Sequence, residues 1–340
     1  MKFNFPAAMG LQGDKIFYTA CVPFRVLKRL LAFDEGNVLD RSQRKVDAGR
    51  ANAISKYLVR NQKTFVLPAL TGILEDPEIE FEEMEGHPAV GVLSISMDAN
   101  IKLFDGQHRA TGIIDAASKD PELAQNTITI QLFVGMTLKQ RQQAFSDINS
   151  KSKQVSASLN MSYNHRDESV QILQDCINNV KSWQGKIDHE RNAVTSKSDL
   201  LFSLKHATEA CRILLELKRN EKPSEKIVGD VGSWFNAVGP CVGWEKESNP
   251  IENSIALTAA GLMTLARVGA EIRKQKRTDQ GCGCFYKAAQ TIIEIDWNRS
   301  NVFWIGNLTD ETGKMIGNAN AQNEAAQKIL ALINKKFTQG

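Results

Sequence analysis

Residues 104–112 read "FDGQHRATG". The run passes from an apolar residue through an acid and a glycine to Gln107, His108 and Arg109 in direct succession. Three such side chains bring more polar groups than a small core can satisfy, which places them at a surface or a site. Upstream, "VGVLSISM" (90–97) and "IKLF" (101–104) have strand composition, and downstream Ala110, Ile113, Ile114 and Ala117 recur at helical spacing. The stretch is therefore a strand end, a glycine turn and a helix start, within a first half that mixes strands and helices.

Neighbouring segments extend this pattern. "KIFYTACV" (15–22) is a strand, and Pro23 suits the first turn of a helix over "PFRVLKRLLAF" (23–33). "RKVDAGRANAISKYLVR" (44–60) is a helix with an apolar face, and "TITIQLFV" (127–134) alternates as a strand. "TFVLPALTGIL" (64–74) reads as a strand confined to an edge or a bulge, because Pro68 has no N–H to donate. "EDPEIEFEEME" (75–85) reads as an acidic loop, and Asp98-Ala99-Asn100 as the turn of a hairpin between the strands on either side. Thr137 and Gln140 form a capping box opening the helix 137–149.

Beyond about residue 160 helical periodicity takes over, at 167–183, 198–219, 254–277, 284–294 and 319–337. "KPSEKIVGDVG" (222–232) and "GWEKESNP" (243–250) read as loops. The fold class is α+β: a mixed α/β N-terminal domain over 1–155 and a mainly helical C-terminal domain over 156–340. The character of the chain changes between Lys153 and Asn164.

Composition narrows the classes. With 42% apolar and 24% charged residues the chain reads as an ordinary globular protein. No run approaches the roughly 18 apolar residues of a membrane helix. Met1–Pro6 lacks a signal-peptide core, so a cytoplasmic location without membrane contact is expected. The six cysteines are dispersed and read as free thiols. "GCGC" (281–284) has no second pair to complete a zinc site, so no structural metal is expected. No Walker A, Gly-x-Ser-x-Gly or His-Glu-x-x-His pattern occurs.

Charge is segregated. Arg25 to Lys63 holds ten Lys/Arg against four acids, whereas 75–85 holds seven acids and no base. Such a map steers a polyanion to one side of a molecule, or else marks two solvated faces. Within the basic segment Arg41, Arg44, Lys45 and Arg50 are the candidate DNA contacts.

The chemistry of 105–109 suits an anion. Free N–H groups and the dipole of a helix start favour negative charge, Gly106 lets backbone approach a ligand, and His108 and Arg109 add donors for phosphate oxygens. Asp105 could orient His108, hold a metal on a phosphate or position water. The plain alternative is an ordinary helix start with solvated polar residues. "FSDINSKSKQVSASL" (145–159) supplies a second polar stretch, in which Asn149, Lys151 and Lys153 are suited to phosphate contact.

"DGQHR" is the motif of the DGQHR-domain proteins, relatives of the ParB/sulfiredoxin fold, and residues 145–159 resemble their second block. Sulfiredoxins carry a similar Phe-Gly-Gly-Cys-His-Arg signature, with a catalytic cysteine where this chain has Gln107. The resemblance therefore implies phosphate binding without sulfinic-acid reduction. "DRSQRKVDAGRANAISKYL" (40–58) is similar to the Arg-rich helix that DGQHR-domain proteins carry upstream, and "YNHRDE" (163–168) with "IDWNRSNVFWIG" (295–306) resembles the DndB proteins of bacterial DNA phosphorothioation loci. That resemblance runs from about Gly10 to Ile333. It implies a ParB/sulfiredoxin-like N-terminal domain and a repressor of the sulfur-modification genes. Double-stranded DNA of its own promoter is the implied partner, and other sulfur-modification proteins and homo-oligomers are open. A nucleoside triphosphate, ATP foremost, with Mg²⁺ is the implied cofactor, held by Gly106, Gln107, His108, Arg109, Asn149, Lys151 and Lys153. The competing readings are an NTPase with DNA-nicking activity, using Asp105, Gln107, His108 and Arg109 as catalytic groups, and an assembly factor that contacts DNA weakly.

Overall fold

A computed structural model describes residues 1–32, 46–74, 79–150, 155–195, 198–218, 221–245, 253–278 and 284–339. The chain is α+β and divides into two compact units, Met1–Lys153 and Gln154–Gly340. Among the described residues no helix is long and apolar enough to cross a membrane.

The first unit runs β1 (Lys2–Gln12), β2 (Lys15–Pro23), α1 (Phe24–Leu30), β3 (Leu31–Ala32), α2 (Ala48–Arg60), β4 (Leu70–Leu74), β5 (Ile79–Met84), β6 (His87–Ser96), β7 (Ile101–Asp105), α3 (Gln107–Lys119), β8 (Thr127–Phe133) and α4 (Leu138–Ser150). Its eight strands are ordered β3-β7-β4-β8-β2-β1-β6-β5, parallel at β3/β7 and β4/β8 and antiparallel elsewhere. The capping box forms: Thr137 N–H donates to Gln140 Oε1 at 2.8 Å, and Gln140 N–H to Thr137 Oγ1 at 3.4 Å.

Three expectations about the strands are corrected. The strands flanking Asp98–Asn100 do not form a hairpin, since β6 pairs with β1 and β5 while β7 pairs with β3 and β4. Five strand spacings separate them, about 24 Å in a flat sheet, yet the link from Ser96 to Ile101 reaches only about 17 Å. The sheet must curl, and its strands accordingly share one core in which Phe5, Val22, Leu93, Ile95, Leu103 and Ile130 meet α1, α2 and α3. The acidic stretch is also more than a loop: Ile79–Met84 is the edge strand β5, whose glutamates keep that edge charged. Finally, 64–74 is a strand only from Leu70. Starting after Pro68 lets β4 lie inside the sheet and not at an edge, while the expected irregularity is present as a register shift at Thr71/Gly72.

A smaller cluster of Ile73, Phe104, Phe133 and Met136 packs against Ala144 and Phe145 of α4. Because strand side chains alternate, Leu103 enters the main core while Phe104 enters this second one. β7 is thus buried on both faces, and its end is firmly placed.

The second unit contains α5 (Ala157–Tyr163), α6 (Glu168–Asn178), the two-residue strands β9 (Ile187–Asp188) and β10 (Phe202–Ser203), α7 (Leu204–Leu215), α8 (Glu225–Cys241), α9 (Ala259–Thr278), α10 (Cys284–Ile292) and α11 (Ala319–Gln339). Trp183, Trp234, Trp244, Phe202 and Phe235 fill its core, with Trp183 and Phe235 ring centres 4.6 Å apart. The expected loop at 222–232 is largely helical, because α8 starts at Glu225. Gly229 and Gly232 each cost a helix about 1 kcal/mol relative to alanine. Burial of Val231, Trp234, Phe235 and Val238 on one helix face outweighs that. Five described cysteines are free, and burial pushes the Cys176 thiol up to about 11. Cys282 and most of 243–250 lie outside the described residues.

Candidate phosphate-binding site

β7 ends at Asp105, Gly106 turns the chain, and α3 begins at Gln107. Gly106 has φ +94°, and a Cβ there would lie 2.6 Å from Leu70 Cδ2. A glycine is therefore demanded twice, by backbone conformation and by space. α3 crosses α2 at Gly112, where a Cβ would meet Ala51 O and Ile54 Cβ at 2.8 Å. This close crossing brings the N-termini of the two helices together.

His108 joins them. Its Nε2 accepts the Asp47 backbone N–H at 3.0 Å, while Asp47 Oδ1 caps α2 by accepting Arg50 N–H at 2.7 Å. A ring accepting at Nε2 carries its neutral-form proton on Nδ1. Gln107 is buried, and its Nε2 donates to Leu103 O at 2.9 Å, tying α3 back to β7. Arg109 is held within its own motif: Nη2 donates to Asp105 Oδ2 at 2.7 Å and to Ala69 O at 2.9 Å. Its Nε is buried without a partner among the described residues.

These groups line a cleft of about 200 Å³, together with Arg50 and Ile54 of α2 and Phe145 and Asn149 of α4. Asn149 Nδ2 donates to Phe145 O at 2.8 Å. The cleft is smaller than the roughly 300–1,000 Å³ of small-molecule pockets and matches a phosphate group better than a whole nucleotide. Two helix starts, one orphaned guanidinium N–H and the exposed cation Arg50 make it chemically an anion site.

The structure brings Asp105, Gly106, Gln107, His108, Arg109 and Asn149 into one cleft. Arg50, expected on a DNA-binding segment, lines the same cleft. Lys151, Lys153, Arg41, Arg44 and Lys45 lie outside the described residues. Asp47, Ile54 and Phe145 were not singled out by the sequence. The visible signal for Asp47 was its place just before the α2 start, a capping position.

A family model described as DndB, DNA-sulfur modification-associated, matches residues 5–336. Neither the curated proteins nor the solved structures gave a match. With nearly the whole length matched, and with the motif's glycine turn and helix start in place, the chain belongs to the DndB family of DNA-sulfur modification-associated proteins.

Proposed function

We propose that this protein is a DNA-binding transcriptional repressor of a DNA phosphorothioation gene cluster, and that a nucleotide phosphate at the DGQHR cleft adjusts its hold on DNA. The observation that carries this reading is the shared position of Arg50. It belongs to the basic segment suited to DNA and also lines the cleft beside His108 and Arg109. A phosphate bound there would engage α3 and α2 at once and so fix the helix that carries Arg50, Lys56 and Arg60. The orphaned Arg109 Nε fits a phosphate oxygen as acceptor. If the ligand is a triphosphate with Mg²⁺, Asp105 is the carboxylate placed to meet the metal. Lys151 and Lys153 are then the further phosphate contacts.

Hydrolysis is the competing reading. Asp105 is ion-paired to Arg109 at 2.7 Å, an arrangement that favours binding over base chemistry until the pair opens. A gel-shift titration on the protein's own upstream duplex, with and without ATP, GTP and CTP plus Mg²⁺, tests the proposal. Nucleotide should change the apparent affinity in wild-type protein and not in Arg109→Ala. Failure to bind that duplex under every condition would refute the repressor reading. Turnover abolished by Asp105→Asn would favour the NTPase.

A further inference from the structure

The helical unit holds a larger cleft, about 840 Å³, between α5, α6, α7, α9 and α11. This lies within the size range of small-molecule sites, and Asn164 and Asp167 of the "YNHRDE" stretch lie in its lining. Met161, Ile213 and Leu330 give it apolar walls.

Two buried polar atoms in its lining, Thr208 Oγ1 and Arg267 Nε, have no partner among the described residues. Thr208 is 1% exposed, and its Oγ1 makes no hydrogen bond, not even the usual one to the preceding helical turn. Arg267 is half-buried with an orphaned Nε; its Nη2 donates to the neutral Gln322 Oε1 at 3.2 Å. Burial pulls the Arg267 proton affinity down, and the charge of Glu209 only partly offsets this. Several other charged side chains of the lining are already engaged, though Lys205 and Glu209 also line it. Glu216 pairs with Lys274 at 2.8 Å and with Arg273 at 3.3 Å, Glu271 pairs with Lys274 at 2.8 Å, and Asp167 caps α6. The buried Arg212 donates to Lys218 O at 3.2 Å. A buried guanidinium N–H and a buried hydroxyl left without acceptors are costly in a native fold, and an anionic ligand would satisfy both. The carboxamides of Asn160, Asn164 and Asn323 in the same lining both donate and accept, as the edge of a heterocyclic base requires.

We propose that this cleft is a second ligand site, one that takes a nucleoside monophosphate with the phosphate on Arg267 and Thr208 and the base against the carboxamides. It is independent of the DGQHR cleft, which lies in the other unit.

The test is calorimetric titration of the full chain with AMP, GMP, CMP and UMP, and with adenosine and inorganic phosphate as fragments. It is run on wild type and on Arg109→Ala, the latter to silence the first cleft. At least one monophosphate should bind equally to both proteins at one per chain, and more tightly than either fragment. Arg267→Met should weaken it ten- to a hundredfold, as expected for loss of a charge-assisted contact. Thr208→Val, a near-isosteric change less able to disturb folding, should weaken it several-fold. Three outcomes would each overturn the proposal: no monophosphate binding at millimolar concentration, binding lost in Arg109→Ala, or binding indifferent to Arg267 and Thr208.

Discussion

The two clefts treat their arginines in opposite ways. Arg109, inside a recognisable motif, is already paired with the carboxylate four residues before it and with a main-chain carbonyl. Arg267, outside any motif, is half-buried and hydrogen-bonded to a neutral amide. Both arginines leave Nε without a partner among the described residues. In the first cleft an incoming phosphate competes with Asp105 for Arg109, whereas in the second Arg267 meets only a neutral amide by hydrogen bond. A conspicuous motif thus marks where chemistry is organised, and an unsatisfied buried group marks where something is missing.

The strongest way to break this comparison is to remove Arg109. Arg109→Ala takes away a charge-assisted contact worth roughly 1.5–3 kcal/mol and should cost ten- to a hundredfold in nucleotide affinity at the first cleft. Equilibrium binding of fluorescent ATP would measure it, and unchanged affinity would remove the arginine from the site. Asp105→Asn should act in the other direction on binding: with its ion pair weakened, Arg109 is freer, and nucleotide should bind at least as tightly as in wild type. A large loss of affinity would mean that Asp105 itself carries the ligand through a metal.

Gly106→Ala probes the frame rather than the contacts. Forcing a Cβ onto φ +94° against Leu70 should cost about 1–3 kcal/mol, seen as a lower urea midpoint for the first unit. Retained stability would mean that the turn can relax. Arg50→Ala should flatten the salt dependence of DNA binding by about 0.9 in log–log slope if Arg50 meets one phosphate of duplex DNA. An unaltered slope would leave Arg50 to the cleft alone.

The smallest effect belongs to the second cleft. Burial foremost, and then Lys205, hold the His206 pKa below its ordinary value of 6.5. The folded state therefore favours the neutral ring, and the unfolded chain takes up its proton first as pH falls. The contribution to stability is intact above pH 6.5 and declines as pH drops from there toward the lower folded value. Urea midpoints at pH 7.5 and 5.5 should converge more closely in His206→Gln than in wild type. An equal acid loss in both would assign it to other groups.

Legibility followed sequence distance. The turn at Gly106, the capping box of α4 and the helical run of α9 depend on residues a few positions apart, and each was readable. The pairing of β6 was not. Asp98-Ala99-Asn100 has good turn chemistry, but the partners of β6 are β1, some ninety residues upstream, and β5. Pro6 illustrates the same point. It lies in β1 opposite Val92 of β6, while pairing with β2 begins only at Ala7, so its missing N–H is tolerated. Among the site residues, Asp105 to Arg109 stood out because polar density is visible in one dimension. Arg50 stood out for its charge, and its place in the cleft was hidden.

By itself the sequence determined the local devices, the α+β class and the family, because propensity, capping and motif spacing act over a few residues. Tertiary structure alone decided the order of the strands and the bond from Asp47 to His108 across 61 positions. It also decided the commitment of Arg109 to Asp105 and the orphaning of Thr208 and Arg267. The physical reason is that satisfaction of a polar group is a property of its surroundings. Burial, close approach and competing partners come from segments far apart in the chain, and no residue type announces whether they will be met.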